Sequence, residues 1–164
     1  MGATEVPNSP AVRLLRARNI VFSPHFYDYK EHGGTTRASS ELGVDEHSVI
    51  KTLVFQTDTK KHFLVLMHGD REVSTKQLAR IIRTKTVVPA DPATAQRVTG
   101  YMVGGISPFG TRNVLPVYAE ETIFALPHIL INGGKRGFLV GIDPHILPKI
   151  LDITKISASI VSPE

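Results

Sequence analysis

The sequence predicts a mixed α/β domain in which one curved sheet is flanked by short helices. Three observations carry this expectation. Strand-like apolar runs recur at 20–29, 48–56, 62–67, 115–119, 129–131, 138–142 and 153–161. Helix-start signals fall between them but head only short amphipathic stretches. The long regular crossovers of a doubly wound domain are absent. The 164 residues, 41% hydrophobic and 21% charged, suit one folded unit with a sizeable core. Residues 1–164 are therefore read as a single domain, with 1–8 frayed.

The elements follow from local chemistry. Ser9-Pro10 combines an N-cap with proline at the first helical position, and Val12, Leu14 and Leu15 give that helix an apolar side. The run 20–29 is rich in β-branched and aromatic residues, with Pro24 marking an edge or irregular start. Gly33-Gly34 marks a turn before a helix that ends near Gly43. Strands over 48–56 and 62–67 are separated by an exposed Lys60-Lys61 turn. Ser74 followed by Gln77 reads as a capping box, with Leu78, Ile81 and Ile82 as the buried stripe. Val87-Val88 forms a short strand, and Asp91-Pro92 heads a helix ending by Gly100. After the 115–119 strand, Glu120-Glu121 introduces a turn or brief helix. Asp143-Pro144 again pairs a cap with proline, predicting a helix to Leu151, and 153–161 reads as one last edge strand.

Composition removes several function classes. No apolar stretch reaches transmembrane length, and the opening lacks the apolar core and cleavage pattern of a signal peptide, so the cytoplasm is the expected location. The absence of cysteine excludes a disulfide framework, a thiolate zinc site and a cysteine nucleophile. His25, His32, His62 and His68 have no metal-ligand spacing, and no nucleotide fingerprint occurs; no metal and no cofactor are expected. The net charge of +4 and pI near 9.5 permit a nucleic-acid partner without requiring one. The basic residues are spread over Arg13–Arg18, Arg71–Lys85 and Lys135-Arg136, and such runs commonly form solvated faces.

Two glycine-bearing stretches draw attention: Gly104-Gly105-Ile106-Ser107-Pro108-Phe109-Gly110 and Asn132-Gly133-Gly134-Lys135-Arg136-Gly137. Each reads either as an ordinary turn or as a loop that presents backbone N–H groups to an anion or carbonyl. Pro108 biases Ser107 away from helix and stiffens the first turn. Lys51 interrupts an apolar run; it either snorkels at a strand end or brings a compact charge to a phosphate or carboxylate. Tyr27 fits a pocket rim or an ordinary packed strand.

Taken together, Tyr27-Asp28-Tyr29, Val49-Ile50-Lys51-Thr52-Leu53-Val54, Gly100–Gly110 and Gly133-Gly134-Lys135-Arg136-Gly137 resemble the YbaK/EbsC-like aminoacyl-tRNA deacylase family in order and over nearly the whole chain. The family also occurs as an inserted editing domain in bacterial prolyl-tRNA synthetases. The resemblance implies a barrel-like mixed sheet flanked by helices. It implies an enzyme with Lys51 and the Gly104, Gly105, Ile106, Ser107, Pro108 loop as catalytic elements. Tyr27, Lys51, Gly105, Lys135 and Arg136 are the implied substrate contacts. Many relatives carry an acidic residue where this chain has His145, which leaves the acidic contribution open; the role is not transferred to Asp143.

The free-standing branch, which deacylates Cys-tRNA(Pro), is the nearest in appearance. There the substrate's own thiol attacks its ester carbonyl, which accounts for a chain with no obvious nucleophile or metal. Cys-tRNA(Cys) is a second substrate on that reading. Aminoacyl-tRNA is the expected partner, with a transient complex with prolyl-tRNA synthetase, no membrane and no DNA. Two rival readings remain: water-mediated hydrolysis of Ala-tRNA(Pro) or another small mischarged tRNA, and a noncatalytic tRNA-binding module.

Overall fold

The computed structural model describes residues 5–161. The N-terminal part of the expected frayed opening, residues 1–4, lies outside them. Residues 5–9 are coil, and Val6 already packs against the main core.

The helix signals are realised by the expected caps. Helix α1 (Pro10–Ala17) starts where Ser9 Oγ accepts the Val12 N–H at 3.1 Å. Helix α2 (Gly34–Leu42) ends at Gly43, whose left-handed backbone returns its N–H to Ser39. Helix α3 (Thr75–Ile82) is capped by Ser74 and α4 (Pro92–Thr99) by Asp91, the latter ending at a left-handed Gly100. The expected 144–151 helix becomes a 3-10 turn over Pro144–Ile146 followed by α5 (Leu147–Ile150).

Among the described residues ten strands form: β1 (Ser23–Phe26), β2 (Val49–Thr57), β3 (His62–His68), β4 (Arg71–Val73), β5 (Val87–Pro89), β6 (Val117–Glu120), β7 (Ile129–Lys135), β8 (Phe138–Ile142), β9 (Ile153–Ile156) and β10 (Ser159–Val161). The large sheet runs β1-β8-β7-β2-β3-β6-β9, with β5 also beside β2; β10 and β4 form a separate pair. The β2/β7, β3/β6 and β6/β9 pairs are parallel and the rest antiparallel, so the sheet is mixed as expected.

Three expectations need correction. The extended 20–29 run contributes only four strand residues, because its partner β8 begins at Phe138, opposite Phe26. The single 153–161 strand splits at Ser157-Ala158. There Glu120 Oε1 accepts the Ala158 N–H and Ser74 donates its N–H to the Ala158 carbonyl, and the chain turns onto β4. The second glycine stretch is strand more than loop: β7 continues to Lys135 with a bulge between Asn132 and Lys135. Asn132 Oδ1 makes the bulge by accepting the N–H groups of Gly134 and Lys135.

Alternation along β2 divides the core. Ile50 and Val54, with Leu64, Leu66, Ile131 and Phe138, face α1, α4 and Phe109. On the opposite face, Leu53, Phe55, Phe63 and Val65 meet Leu78 and Ala79 of α3, while Val49, Leu130 and Leu139 meet Ala38 of α2. Lys51 shares this second face by register, between the two helices.

Candidate active site

The Gly104–Pro108 segment is a fixed loop. Its ends are tied by Tyr101, whose hydroxyl donates to the Phe109 carbonyl at 2.6 Å and whose pKa burial pushes up to about 12. Phe109 is fully buried, which anchors the C-terminal side by about 1.5–3 kcal/mol. Inside the loop the Gly105 N–H bonds the Met102 carbonyl, and Ser107 Oγ accepts the Phe109 N–H at 3.1 Å.

The bulged strand clamps this loop from outside. Asn132 Nδ2 donates to the Gly104 carbonyl at 3.2 Å and Arg136 Nε to the Val103 carbonyl at 2.9 Å. The Arg136 guanidinium also lies 5.0 Å from the Tyr29 ring centre, a cation–π contact. Gly105 meets the Lys135–Arg136 backbone so closely that a Cβ there would stand 2.8 Å from Arg136 N. Gly104, at φ +92, leaves no room between its backbone and Tyr29 Oη. The bulge is itself pinned by Ser9 Oγ donating to the Gly133 carbonyl at 2.6 Å.

The candidate residues differ sharply in access. Gly104 is exposed and Ile106 half-buried, whereas Gly105, Ser107 and Pro108 are buried. The Ser107 side chain is thus committed to holding the turn. Among the described residues no protein acceptor takes the Ile106 N–H, which leaves it as a loop donor able to meet a bound group. Tyr27, Lys135 and Arg136 line one open cleft of about 470 Å³ with Phe26 and Asp28. Gly105 lies directly behind its Arg136 wall.

Lys51 stands apart from that cleft. One register step beyond the Ile50–Ile131 pair, it follows Asn132 across neighbouring strands on the same sheet face. Its ammonium donates to the Arg71 carbonyl. Burial pulls its pKa below the ordinary lysine value, opposed by Glu72, Glu46 and Asp70. These three carboxylates are the acidic surroundings that sequence reasoning missed. Asp70 is held by His47 Nδ1 at 2.7 Å and by Arg71 at 3.1 Å, and Glu46 accepts from Thr35 and Thr36. The Gly69-Asp70 turn after a strand was the signal available for them.

His145 is not part of this arrangement. It follows the Ile142 end of β8, whereas the clamped loop meets the Phe138 end, and its ring and N–H both bond Asp143 Oδ1 at 2.9 Å. A second unforeseen pair, Ser23 Oγ and His25 Nε2 at 2.8 Å, sits on edge strand β1. Burial and His128 lower the His25 pKa, and no carboxylate bonds its ring among the described residues, so no triad forms. Nor, among the described residues, do three or more His, Asp or Glu side chains cluster as a metal site.

Comparison with known proteins gives the class: this mixed-sheet domain, its glycine loop braced by a bulged strand, is an enzyme acting on aminoacyl-tRNA. The chain belongs to the aminoacyl-tRNA editing domain family, whose model matches residues 31–150. It is similar to EbsC of Enterococcus faecalis, described as a proposed Cys-tRNA(Pro)/Cys-tRNA(Cys) deacylase, at 25% identity over 84% of each chain. It is also similar to the proline–tRNA ligase of Desulforamulus reducens, at 33% identity over 63% of this chain but only 18% of the ligase. A crystal structure described as a proposed trans-editing enzyme for prolyl tRNA synthetase superposes with a TM-score of 0.81 at 20% identity, covering 95% of this chain and 99% of that one. That likeness bears out the expected fold.

Proposed function

We propose that this protein removes cysteine from mischarged Cys-tRNA(Pro), and from Cys-tRNA(Cys), by letting the substrate thiol cleave its own ester. The sulfur attacks the carbonyl carbon, the bond from that carbon to the ribose oxygen breaks, and the thiol proton ends on that oxygen. The products are free tRNA and a cyclic thiolactone. The observation that carries this reading is the fate of Ser107: the one hydroxyl in the loop is fully buried and spent on the Phe109 N–H. A loop that offers shape and backbone donors without a nucleophile suits a substrate that brings its own.

In this reading Gly104 and the Ile106 N–H face the aminoacyl ester and stabilise charge developing on its carbonyl oxygen. Tyr27, Lys135 and Arg136 hold the terminal nucleotide in their cleft, with Gly105 fixing the wall. Lys51 supplies a positive charge to the same end of the RNA, released from the Arg71 carbonyl when substrate enters. Prolyl-tRNA synthetase, the source of such errors, is the proposed transient partner.

The test compares cysteinyl, S-methylcysteinyl, seryl and alanyl esters on one tRNA(Pro). Cysteine release should exceed the other three by at least tenfold. Equal rates for cysteinyl and S-methylcysteinyl esters would refute self-cyclisation, and faster alanine release would assign a bound water as the nucleophile.

A further inference from the structure

One stretch of this sequence carries more basic residues uninterrupted by acid than any other. Between Ser74 and Ala90 the chain carries Lys76, Arg80, Arg83 and Lys85 and no Asp or Glu, which equals the whole net charge of +4. The other fifteen Lys and Arg are balanced by fifteen Asp and Glu. The segment folds as α3, its left-handed end at Arg83, and β5. Leu78 and Ala79 dock the helix on Phe55, Phe63 and Val65, so the four cations are left facing solvent.

None of the four is in an ion pair among the described residues; the paired Lys and Arg are Lys30, Arg37 and Arg71. Lys76, Arg80 and Lys85 line a shallow groove of about 390 Å³ whose remaining polar lining is the hydroxyl-bearing Thr75, Thr84 and Thr86. The nearest turn, which bonds β5 through Asp58 N–H and the Thr86 carbonyl, adds the exposed Lys60 and Lys61. Its single carboxylate, Asp58, is tied to Thr84 at 2.8 Å. Asp58 already accepts from Thr84, so the groove offers its cations and the Thr75 and Thr86 hydroxyls, which is what a row of phosphates requires.

Position decides the occupant. Helix α3 lies on the sheet face that also carries Lys51, and β5 pairs with β2 at Phe55–Thr57. From Lys51 to Thr57 is six strand residues, or about 20 Å. We infer that the α3–β5 ridge is the docking surface for the phosphate backbone of the tRNA stem, several nucleotides away from the aminoacyl end. This inference rests on the proposed tRNA substrate, and it assigns affinity for the RNA body to residues outside the candidate active site.

The experiment measures binding of fluorescein-labelled uncharged tRNA(Pro) from 50 to 300 mM salt, so it needs no catalysis. The triple variant Lys76→Gln/Arg80→Gln/Lys85→Gln should weaken binding tenfold or more. It should also flatten the slope of log K against log salt by about two to three, roughly one unit per lost phosphate contact. The charge-preserving Lys76→Arg/Arg80→Lys/Lys85→Arg variant should bind as the wild type does. In deacylation assays the neutral variant should raise KM for tRNA and leave kcat within twofold. Unchanged affinity and slope in the neutral variant would overturn the assignment. Equal loss in the charge-preserving variant would do so as well, as would tight binding of polyglutamate to the same ridge. A wild type that binds tRNA through these residues but releases no amino acid would sink the proposed reaction and leave this surface standing.

Discussion

Replacing Gly105 by alanine probes the clamped loop directly. Its backbone is not left-handed, so the effect is steric alone: the new Cβ would stand 2.8 Å from Arg136 N and 3.0 Å from the Lys135 carbonyl carbon. Neither neighbour is a side-chain tip that can swing away. Restoring an ordinary contact near 3.4 Å separates loop and strand by roughly 0.6 Å at the tighter point. The Asn132–Gly104 bond, already 3.2 Å, is then lost, and the 2.9 Å Arg136–Val103 bond is stretched to its limit. Overpacking of this kind costs about 1–3 kcal/mol. For a chain of this size each kcal/mol lowers Tm by about 2–4 °C. Since Gly104 moves with the loop, the rate of amino-acid release should fall at least tenfold, more than any unfolding at 25 °C explains. Thermal unfolding and initial-rate deacylation on the same preparation decide it. A lowered Tm with a rate within twofold of wild type would show that loop position does not limit the reaction. No change in either would refute the close packing itself.

Lys51→Met keeps the aliphatic stem and removes a charge that burial disfavours. Because the folded-state pKa is lowered, the charged lysine penalises the fold at pH 7, and the penalty is relieved only as pH rises to the ordinary lysine pKa. Its Tm should therefore be no lower than wild type while deacylation drops at least tenfold; retained activity or a collapsed Tm would each defeat the substrate role. Ser107→Ala leaves the buried Phe109 N–H without its acceptor and should cost about 1–3 kcal/mol in a denaturant titration. Its kcat, and that of Ser23→Ala, should stay within a few-fold of wild type, and abolished turnover in either would reinstate a protein nucleophile.

Local chemistry made most elements legible. Ser9, Ser74 and Asp91 each cap the helix expected of them, because a cap needs only the next three residues. Strand β4 escaped notice because three residues of Arg-Glu-Val have no pattern, and its partner β10 lies at the far end of the chain. The Asn132–Gly137 stretch looked like a loop because its glycines conceal a strand; the bulge depends on where the Asn132 side chain turns. The glycine stretches and Lys51 were legible as candidates, but their division of labour was not. That Arg136 braces the loop, and that Lys51 leans toward Arg71 among three carboxylates, are facts of tertiary approach. Ser23 and His25 stand only two positions apart in sequence, yet pairing of β1 with β8 sets their geometry.

The bond from Ser9 to Gly133 joins residues 124 positions apart. Closing a flexible loop of that length costs about 4 kcal/mol in chain entropy, more than one neutral hydrogen bond returns. The difference is met by Ala11, Val12 and Leu15 of α1, which are completely buried. During synthesis, α1 emerges long before the strand it must hold. Until Gly133 is made, that apolar helix face has no bulge to seal, and no glycine wall exists for the loop to lean on. The two glycine stretches can therefore form a site only after Gly133 has been made and α1 has packed onto β7.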